Sequence, residues 1–405
     1  MLTFKYAWRN LWRNRNRTSI TLAAVTFNTA VLIILYALCQ GMMDDTVSNA
    51  TNISFGEVQV HAPGYREKRS FYETVKNPEA IVKKAQAVGA DAAPRSYGFG
   101  LAAHGAKSAG AQFWGVDPAA EKKTFAMAAH LIEGEYLADA PGMKVVLGRK
   151  LAHSLGVKPG DELIVLVQAA DGSLGNELFT VAGVLKSMGE EIDRSAALLH
   201  VDDFNELFVS YGFTHEVAMN SHGKVKPEVL AASINSNFKG VKAETWKELI
   251  PMLADMIHMF DGMMVVFVFV FSLAAGLGVL NALLMATYER MREFGAVKAL
   301  GASPWRIVGE VAAEALLIAL VSCAAGVIVA LAACAYLGVH GIDLSFVGGN
   351  ISFSGVAFET VWRASLKFKM IVTSVLSMSV ISLLAALYPA ILAARLDPVQ
   401  IMRKS

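Results

Sequence analysis

Four long, mainly apolar runs free of charged side chains constrain this chain more than any other feature of its sequence. They are Ile20 to Met43, Met263 to Tyr288, Ala315 to Leu337 and Met370 to Ala394. Each exceeds the roughly 20 residues that a helix rising 1.5 Å per residue needs to cross about 30 Å of hydrocarbon. In lipid a backbone must satisfy its own hydrogen bonds, so runs of this length are expected as helices. A cleaved signal peptide competes for the first run, because Ala37-Leu38-Cys39 makes a passable small-x-small site. That run, however, is longer than the roughly 7–15 apolar residues of a signal sequence.

Between the first two runs lie some 215 residues of ordinary polarity, so membrane helices cannot be the whole molecule. The 405 residues are 54% hydrophobic and only 18% charged, against about 25% charged in a soluble domain. The formal net charge of +1 offers no basic surface for nucleic acid. All three cysteines, Cys39, Cys323 and Cys334, fall in the apolar runs, so the polar middle must be held by its core rather than by disulfides.

Lys and Arg set the expected orientation. Lys5, Arg9, Arg13, Arg15 and Arg17 precede the first run; Arg290, Arg292, Lys298 and Arg306 lie between the second and third; Arg395, Arg403 and Lys404 follow the fourth. Short basic segments stay in the cytoplasm. Both termini are therefore expected inside, with the large middle domain outside. The organisation expected is an interfacial amphipathic helix over 1–19 and spans over 20–43, 260–288, 307–337 and 370–394. An α+β domain with a stalk helix occupies 44–259, a linking loop 289–306, an outer loop 338–369 and a tail 395–405. In the first segment Phe4, Trp8 and Leu11 share one helical face and Lys5, Arg9 and Arg13 another.

Within 44–259, Glu57 to His61 alternates as a half-buried strand would. Asn77-Pro78-Glu79 opens a helix over 80–88 as cap, first-turn proline and acidic residue. Ala111 to Pro118 reads as a strand ending in a turn, and Val145 to Gly148 as a strand followed by a helix through Leu151 and Leu155. Leu163–Val167 and Leu178–Val181 flank the turn Asp171-Gly172-Ser173-Leu174-Gly175 and read as a hairpin. The fold class expected is an α-helical membrane protein with four transmembrane helices plus a mixed α+β extracytoplasmic domain.

No site of catalysis emerges. The chain has no G-x-x-x-x-G-K-[ST], H-E-x-x-H, C-x-x-C or G-x-S-x-G run, so no P-loop, zinc-protease, redox or hydrolase motif is present. Its nine histidines are scattered; His215 and His222 flank a loop-like stretch without zinc-ligand spacing. Gly98-Phe99-Gly100 reads as a glycine pair in a loop, short of a dinucleotide fingerprint. No metal, no catalytic residue and no cofactor are assigned. Glu310 and Glu314 share a face at the start of the third span, one turn beyond Arg306, and read as an interfacial salt-bridge network. Asn281, with Ala274, Ala275, Gly276 and Gly278 nearby, suits hydrogen bonding and close approach between helices.

Met252, Met256, Met259 and Met263 recur at steps of four, three and four, and Met264 extends the stripe. Met is flexible and polarisable, suited to greasy ligands of variable shape. The plainer reading packs the stripe against the end of the first span, near Met42 and Met43.

The stretch from Tyr288 to Ser303 is a short charged helix ended by a glycine, wedged between two spans and too small to fold alone. Glu289, Arg290, Glu293, Gly295, Lys298, Ala299, Leu300, Gly301, Ala302 and Ser303 resemble the FtsX-like permease segment E-R-x-x-E-x-G-x-x-K-A-L-G-A-S. Leu396-Asp397-Pro398-Val399 with Arg403 resembles that family's end. Gly134, Val146-Leu147-Gly148, Leu155-Gly156-Val157, Gly160-Asp161, Phe179, Val181 and Gly183-Val184 resemble the MacB-type periplasmic core domain.

The resemblance implies a mechanotransmission-type ABC transporter permease, nearest to the lipoprotein-releasing LolC/LolE type. It also implies an inner-membrane protein with its large domain periplasmic. A separate cytoplasmic ATPase, carrying the ATP and Mg, would dock on 289–302, with Glu289, Arg290, Glu293, Gly295, Lys298, Gly301 and Ala302 as coupling residues. A second copy or a paralogous permease would complete the membrane core. Lipoprotein or another lipid-like cargo would enter a cavity between the first two spans, where Met42, Met43, Met256, Met259, Met263 and Met264 are the expected lining. A periplasmic chaperone or adaptor is a further implied partner. The alternatives are a MacB-like efflux permease working with an adaptor and an FtsX-like regulator of wall hydrolases. In the lipoprotein-releasing type the first span ends Met-Asn-Gly-Phe; here Gln40-Gly41-Met42-Met43 stands there.

Overall fold

The computed structural model describes residues 7–10, 12–343, 352–353, 356–357 and 361–395. Phe4 and Leu11 of the expected interfacial helix, and the closing motif at 396–403, lie outside the described residues. The chain divides into two compact units, one drawn from 1–44, 257–346 and 360–405, the other from 45–256 and 347–359.

The first unit is built on four helices long and apolar enough to cross a membrane. The first helix runs Arg15–Ala50 and passes into a π-helical turn, Thr51–Phe55, that stops at Gly56 with φ +81°. It overshoots the apolar run at both ends because no proline interrupts it and polar residues propagate a helix as readily as apolar ones. The second helix is Pro251–Glu289, the third Pro304–His340 and the fourth Phe368–Ala394. Val25 and Leu32, Val268 and Val279, Ile307 and Ile318, and Met378 and Ala386 from the four helices share one buried core.

Close approach is visible at Gly276, where an added Cβ would lie 2.5 Å from Ile381 Cγ2. The polar link expected at Asn281 is made elsewhere: Asn281 is exposed, while Asn28 Nδ2 donates to the Phe271 carbonyl at 2.6 Å. Near the end of the first helix, the Ser365 N–H donates to the Ala37 carbonyl at 2.9 Å. Ser365 Oγ (2.8 Å) and Lys367 Nζ (2.9 Å) both hold Asp44. This strap crosses at Gly41, where a Cβ would overlap the Arg363 carbonyl.

The second unit is α+β around a ten-stranded sheet. Its strands are β1 (Val58–His61), β2 (Asp91–His104), β3 (Lys107–Val116), β4 (Leu131–Gly134) and β5 (Lys144–Leu147). They continue with β6 (Glu162–Gln168), β7 (Leu174–Leu185), β8 (Ala196–His200), β9 (Glu216–Asn220) and β10 (Lys242–Thr245). Because β6 pairs with both β2 and β7, the strands β2-β3-β8-β5-β7-β6 close into a ring. Closure removes free edges, and Phe113, Leu163, Val165, Phe179 and Leu199 fill the interior. A second lobe, β10-β1-β9 with the first half of β2, buries Val58, Val60, Ala92, Val217 and Met219 against helices Pro78–Val88 and Pro227–Asn237.

The β6–β7 hairpin is present, with Leu163 opposite Phe179. Other expectations are corrected. The strand at β1 is buried on both faces, not half-buried. Its polar residues have partners: the His61 ring bridges the His215 carbonyl at 3.2 Å and Gln59 Oε1 at 3.1 Å. The stretch between His215 and His222 is not loop but β9, all five residues buried. Gly98 and Gly100 lie mid-strand in β2, not in a loop. A Cβ on Gly98 would strike the Phe208 ring, and one on Gly100 would lie 2.5 Å from the Leu166 carbonyl. Asn77 does not cap by its side chain but takes a left-handed conformation before Pro78. Asp117, expected in a turn, caps helix Pro118–Thr124 by accepting from the N–H groups of Ala119 and Ala120.

Candidate functional site

The stretch linking the second and third spanning helices folds as a helix, Met291–Ala299. Its end is a Schellman-type cap: Gly301 has φ +90°, and the Ala302 N–H donates to the Val297 carbonyl at 3.2 Å. One face is committed to the membrane unit. Phe294 is 3% exposed, Gly295 is buried, and the Arg290 guanidinium sits 4.8 Å over the Phe294 ring. Lys298 Nζ donates to the Ala394 carbonyl at 2.7 Å, placing a cation at the C-terminus of the fourth helix, where the helix dipole favours it. Beyond that face two large apolar side chains are bare: Leu300, the C-cap residue of the linking helix, is 89% exposed, and Trp305, in the first turn of the third spanning helix, is 80% exposed. Of the apolar residues Phe294, Val297 and Leu300 in this stretch, Phe294 is buried and the other two are exposed.

Three arginine–glutamate contacts tie this segment to its surroundings. Arg13 Nη1 meets Glu293 Oε1 at 2.5 Å and Arg17 Nη1 meets Glu289 Oε2 at 3.0 Å. Arg290 Nη1 donates to Glu314 Oε1 at 2.6 Å, and Asn10 Nδ2 donates to the same oxygen at 2.9 Å. Glu314 is 4% exposed; its charge is tolerable at that depth because two donors meet it. Arg13 holds the Glu293 carboxyl below the usual carboxylate range, chiefly by its hydrogen bond. Around these contacts is a cavity of about 220 Å³, lined by polar residues such as Asn14, Thr18 and Thr21 as well as by the charges.

Glu310, expected in the same network as Glu314, stands apart, 3.7 Å from Arg306. The partners Asn10, Arg13 and Arg17 escape a reading of the sequence, in which Arg13 and Arg17 count as topology-setting cations and Asn10 carries no signal. The one available signal is that 289–293 carries four charges, two of each sign, whose carboxylates, Glu289 and Glu293, a basic segment elsewhere in the chain could match.

The methionines do not form one surface. Met42, Met43, Met256 and Met264 are buried, whereas Met252, Met259 and Met263 are 39–67% exposed. The buried face of the second helix runs through Leu253, Met264, Val268, Ala275 and Val279, and the exposed three lie to one side of it. Met256 belongs to the α+β unit and the others of the expected lining to the membrane unit.

The MacB-like periplasmic core domain family matches residues 18–239, and the FtsX-like permease C-terminal family matches 265–398. The lipoprotein-releasing system transmembrane protein LolC of Neisseria meningitidis is 21% identical over 299 residues, covering 71% of this chain and 69% of that protein. The macrolide export ATP-binding/permease protein MacB of Chromobacterium violaceum is 31% identical over 129 residues, 32% of this chain and 17% of that one. The solved periplasmic region of MacB from Actinobacillus actinomycetemcomitans aligns at 13% identity and TM-score 0.37, over 54% of this chain and 98% of that one. With a family match across more than half its length and a second across the spans beyond it, the chain belongs to the MacB-like periplasmic core domain family and is an ABC transporter permease of the FtsX, LolC and MacB type.

Proposed function

We propose that this chain is the non-catalytic membrane subunit of an ABC transporter that releases lipoproteins from the inner membrane. A separate cytoplasmic ATPase binds and hydrolyses ATP with Mg and docks on the linking helix. A second copy or a paralogous permease completes the core. The α+β domain works on the periplasmic side, where a chaperone or adaptor receives the cargo, and both termini are cytoplasmic. The observation that carries the coupling part is the linking helix and the turn that follows it. Phe294, Arg290, Glu293 and Lys298 fix the helix to its own unit, while Leu300 at its end and Trp305 at the start of the third spanning helix remain exposed for another protein. Large exposed apolar side chains beside a charged element mark a protein interface.

The cargo reading rests on the similarity to LolC over most of both chains and on the methionine-rich ends of the first two spanning helices. The stronger local identity to a macrolide exporter favours, as second reading, an efflux permease working with a periplasmic adaptor. The test is reconstitution with the ATPase that co-purifies with the chain. Leu300→Asp and Trp305→Asp are expected to lower the stimulated hydrolysis tenfold or more without changing the chain's own melting temperature. Unchanged stimulation removes the docking surface. Photo-crosslinkers at Met43 and Met263 that capture an acylated protein support lipoprotein cargo; capture of soluble drug analogues alone supports efflux.

A further inference from the structure

Glu293 has two arginines within reach and engages only one fully. Its Oε1 is 2.5 Å from Arg13 Nη1, while its Oε2 is 3.5 Å from Arg290 Nε. That Nε is buried and has no hydrogen-bond partner among the described residues, although Nη1 of the same guanidinium is held by Glu314. A buried donor left unpaired costs free energy, and a movement of Glu293 by under an ångström would recover it. The competing contact is easily lost, because the Arg13 and Glu293 side chains are 63% and 47% exposed and exposed ion pairs contribute little.

The surroundings allow the exchange. A dry core would resist displacement of the first helix, but its first turns, through Arg17, Thr18 and Thr21, border the cavity of about 220 Å³. Asn10 on Glu314 and Arg17 on Glu289 remain as tethers on either side of Arg13.

We propose that Asn10 together with residues 12–17 forms a second arm of the coupling element. As the linking helix shifts, Glu293 passes from Arg13 to Arg290, and the first spanning helix is released or gripped directly rather than through the length of the second. Arg13 and Glu314 are then positioning residues: Glu314 fixes Arg290, and Arg13 competes with it for Glu293. This rests on the coupling reading above.

The test uses the full chain in nanodiscs with its ATPase, with Cys39, Cys323 and Cys334 replaced by Ala and Cys placed at 13 and 293. A short bis-methanethiosulfonate cross-linker joining the two is expected to lower stimulated hydrolysis at least fivefold below that of the same chain uncross-linked, with return to the uncross-linked rate on adding dithiothreitol and no fall in melting temperature. Arg13→Glu is expected to lower it to a similar degree, Arg13→Lys to keep it within twofold of the parent, and Arg13→Glu with Glu293→Arg to restore it. A cross-linked chain that turns over at the rate of its uncross-linked form overturns the second arm, as does an Arg13→Glu chain with unchanged stimulation. If Leu300→Asp still abolishes stimulation in that case, the coupling reading survives alone; a parent chain that stimulates nothing overturns both.

Discussion

Arg95 is buried in the α+β domain, at the wall of a cavity that Ser54 and Glu216 also line. It is 2% exposed. Nε and Nη2 donate to Glu121 at 2.6 and 3.0 Å, and Nη1 donates to the Ser54 carbonyl at 2.6 Å and to Glu216 at 3.2 Å. Arg95→Met would leave two carboxylates buried without their cation, so a loss of about 3–5 kcal/mol is expected, read by denaturant titration of the full chain in detergent. Adding Glu121→Gln and Glu216→Gln to that variant should recover part of it. A second prediction concerns His215, whose Nδ1 accepts from the Tyr97 N–H at 3.0 Å while Nε2 donates to the Phe71 carbonyl at 2.7 Å. Burial holds its pKa below the ordinary value of 6.5. The unfolded chain then binds the proton more readily, so this stability is whole above about pH 6.5 and is lost as pH falls toward the folded value. The melting-temperature difference between the parent and His215→Gln should accordingly narrow from pH 7.5 to 5.5. Neither residue declares its role in the sequence. An arginine between a proline and a serine looks solvated until the fold delivers Glu121 and Glu216 to it.

At the scale of elements, legibility followed side-chain pattern. The β6–β7 hairpin could be read because apolar runs flank a glycine-rich turn, and the linking helix because a left-handed glycine ends it. Strands β2 and β9 could not. β2 contains Pro94, Gly98 and Gly100, which by propensity break a strand, and β9 starts and ends with polar residues that are buried by their partners. What overrides propensity in β2 is packing: the glycines leave room for Phe208 and for the β6 backbone. Gly98→Val is therefore expected to cost about 1–3 kcal/mol by overpacking. At Gly110, in the adjoining strand, an added Cβ meets no atom within 4 Å, and Gly110→Val should stay within about 0.5 kcal/mol of the parent. Denaturant midpoints of the two variants, measured side by side at constant slope, decide whether the glycines of β2 are there for space.

For the whole molecule, the four spans were legible because bilayer thickness fixes a length that no soluble helix needs to match. The electrostatics were legible only in part. The cations before the first span count toward orientation in any reading of loop charge, yet Arg13 and Arg17 are also ion-paired to Glu293 and Glu289. Charges engaged in this way still resist transfer across the bilayer, so both roles hold together and predict the same sidedness. Single cysteines at Tyr211 and Leu174, 71% and 85% exposed in the α+β domain, and at Leu300, 89% exposed on the linking helix, test this in intact cells. The three native cysteines, of which Cys323 and Cys334 are buried, are first replaced by Ala. A membrane-impermeant maleimide should label positions 211 and 174 before permeabilisation and position 300 only after it. Labelling of 300 from outside would place the linking helix beyond the reach of any ATP-bearing partner, since ATP is supplied from the cytosol, and the coupling function would have to be abandoned whatever the docking variants did.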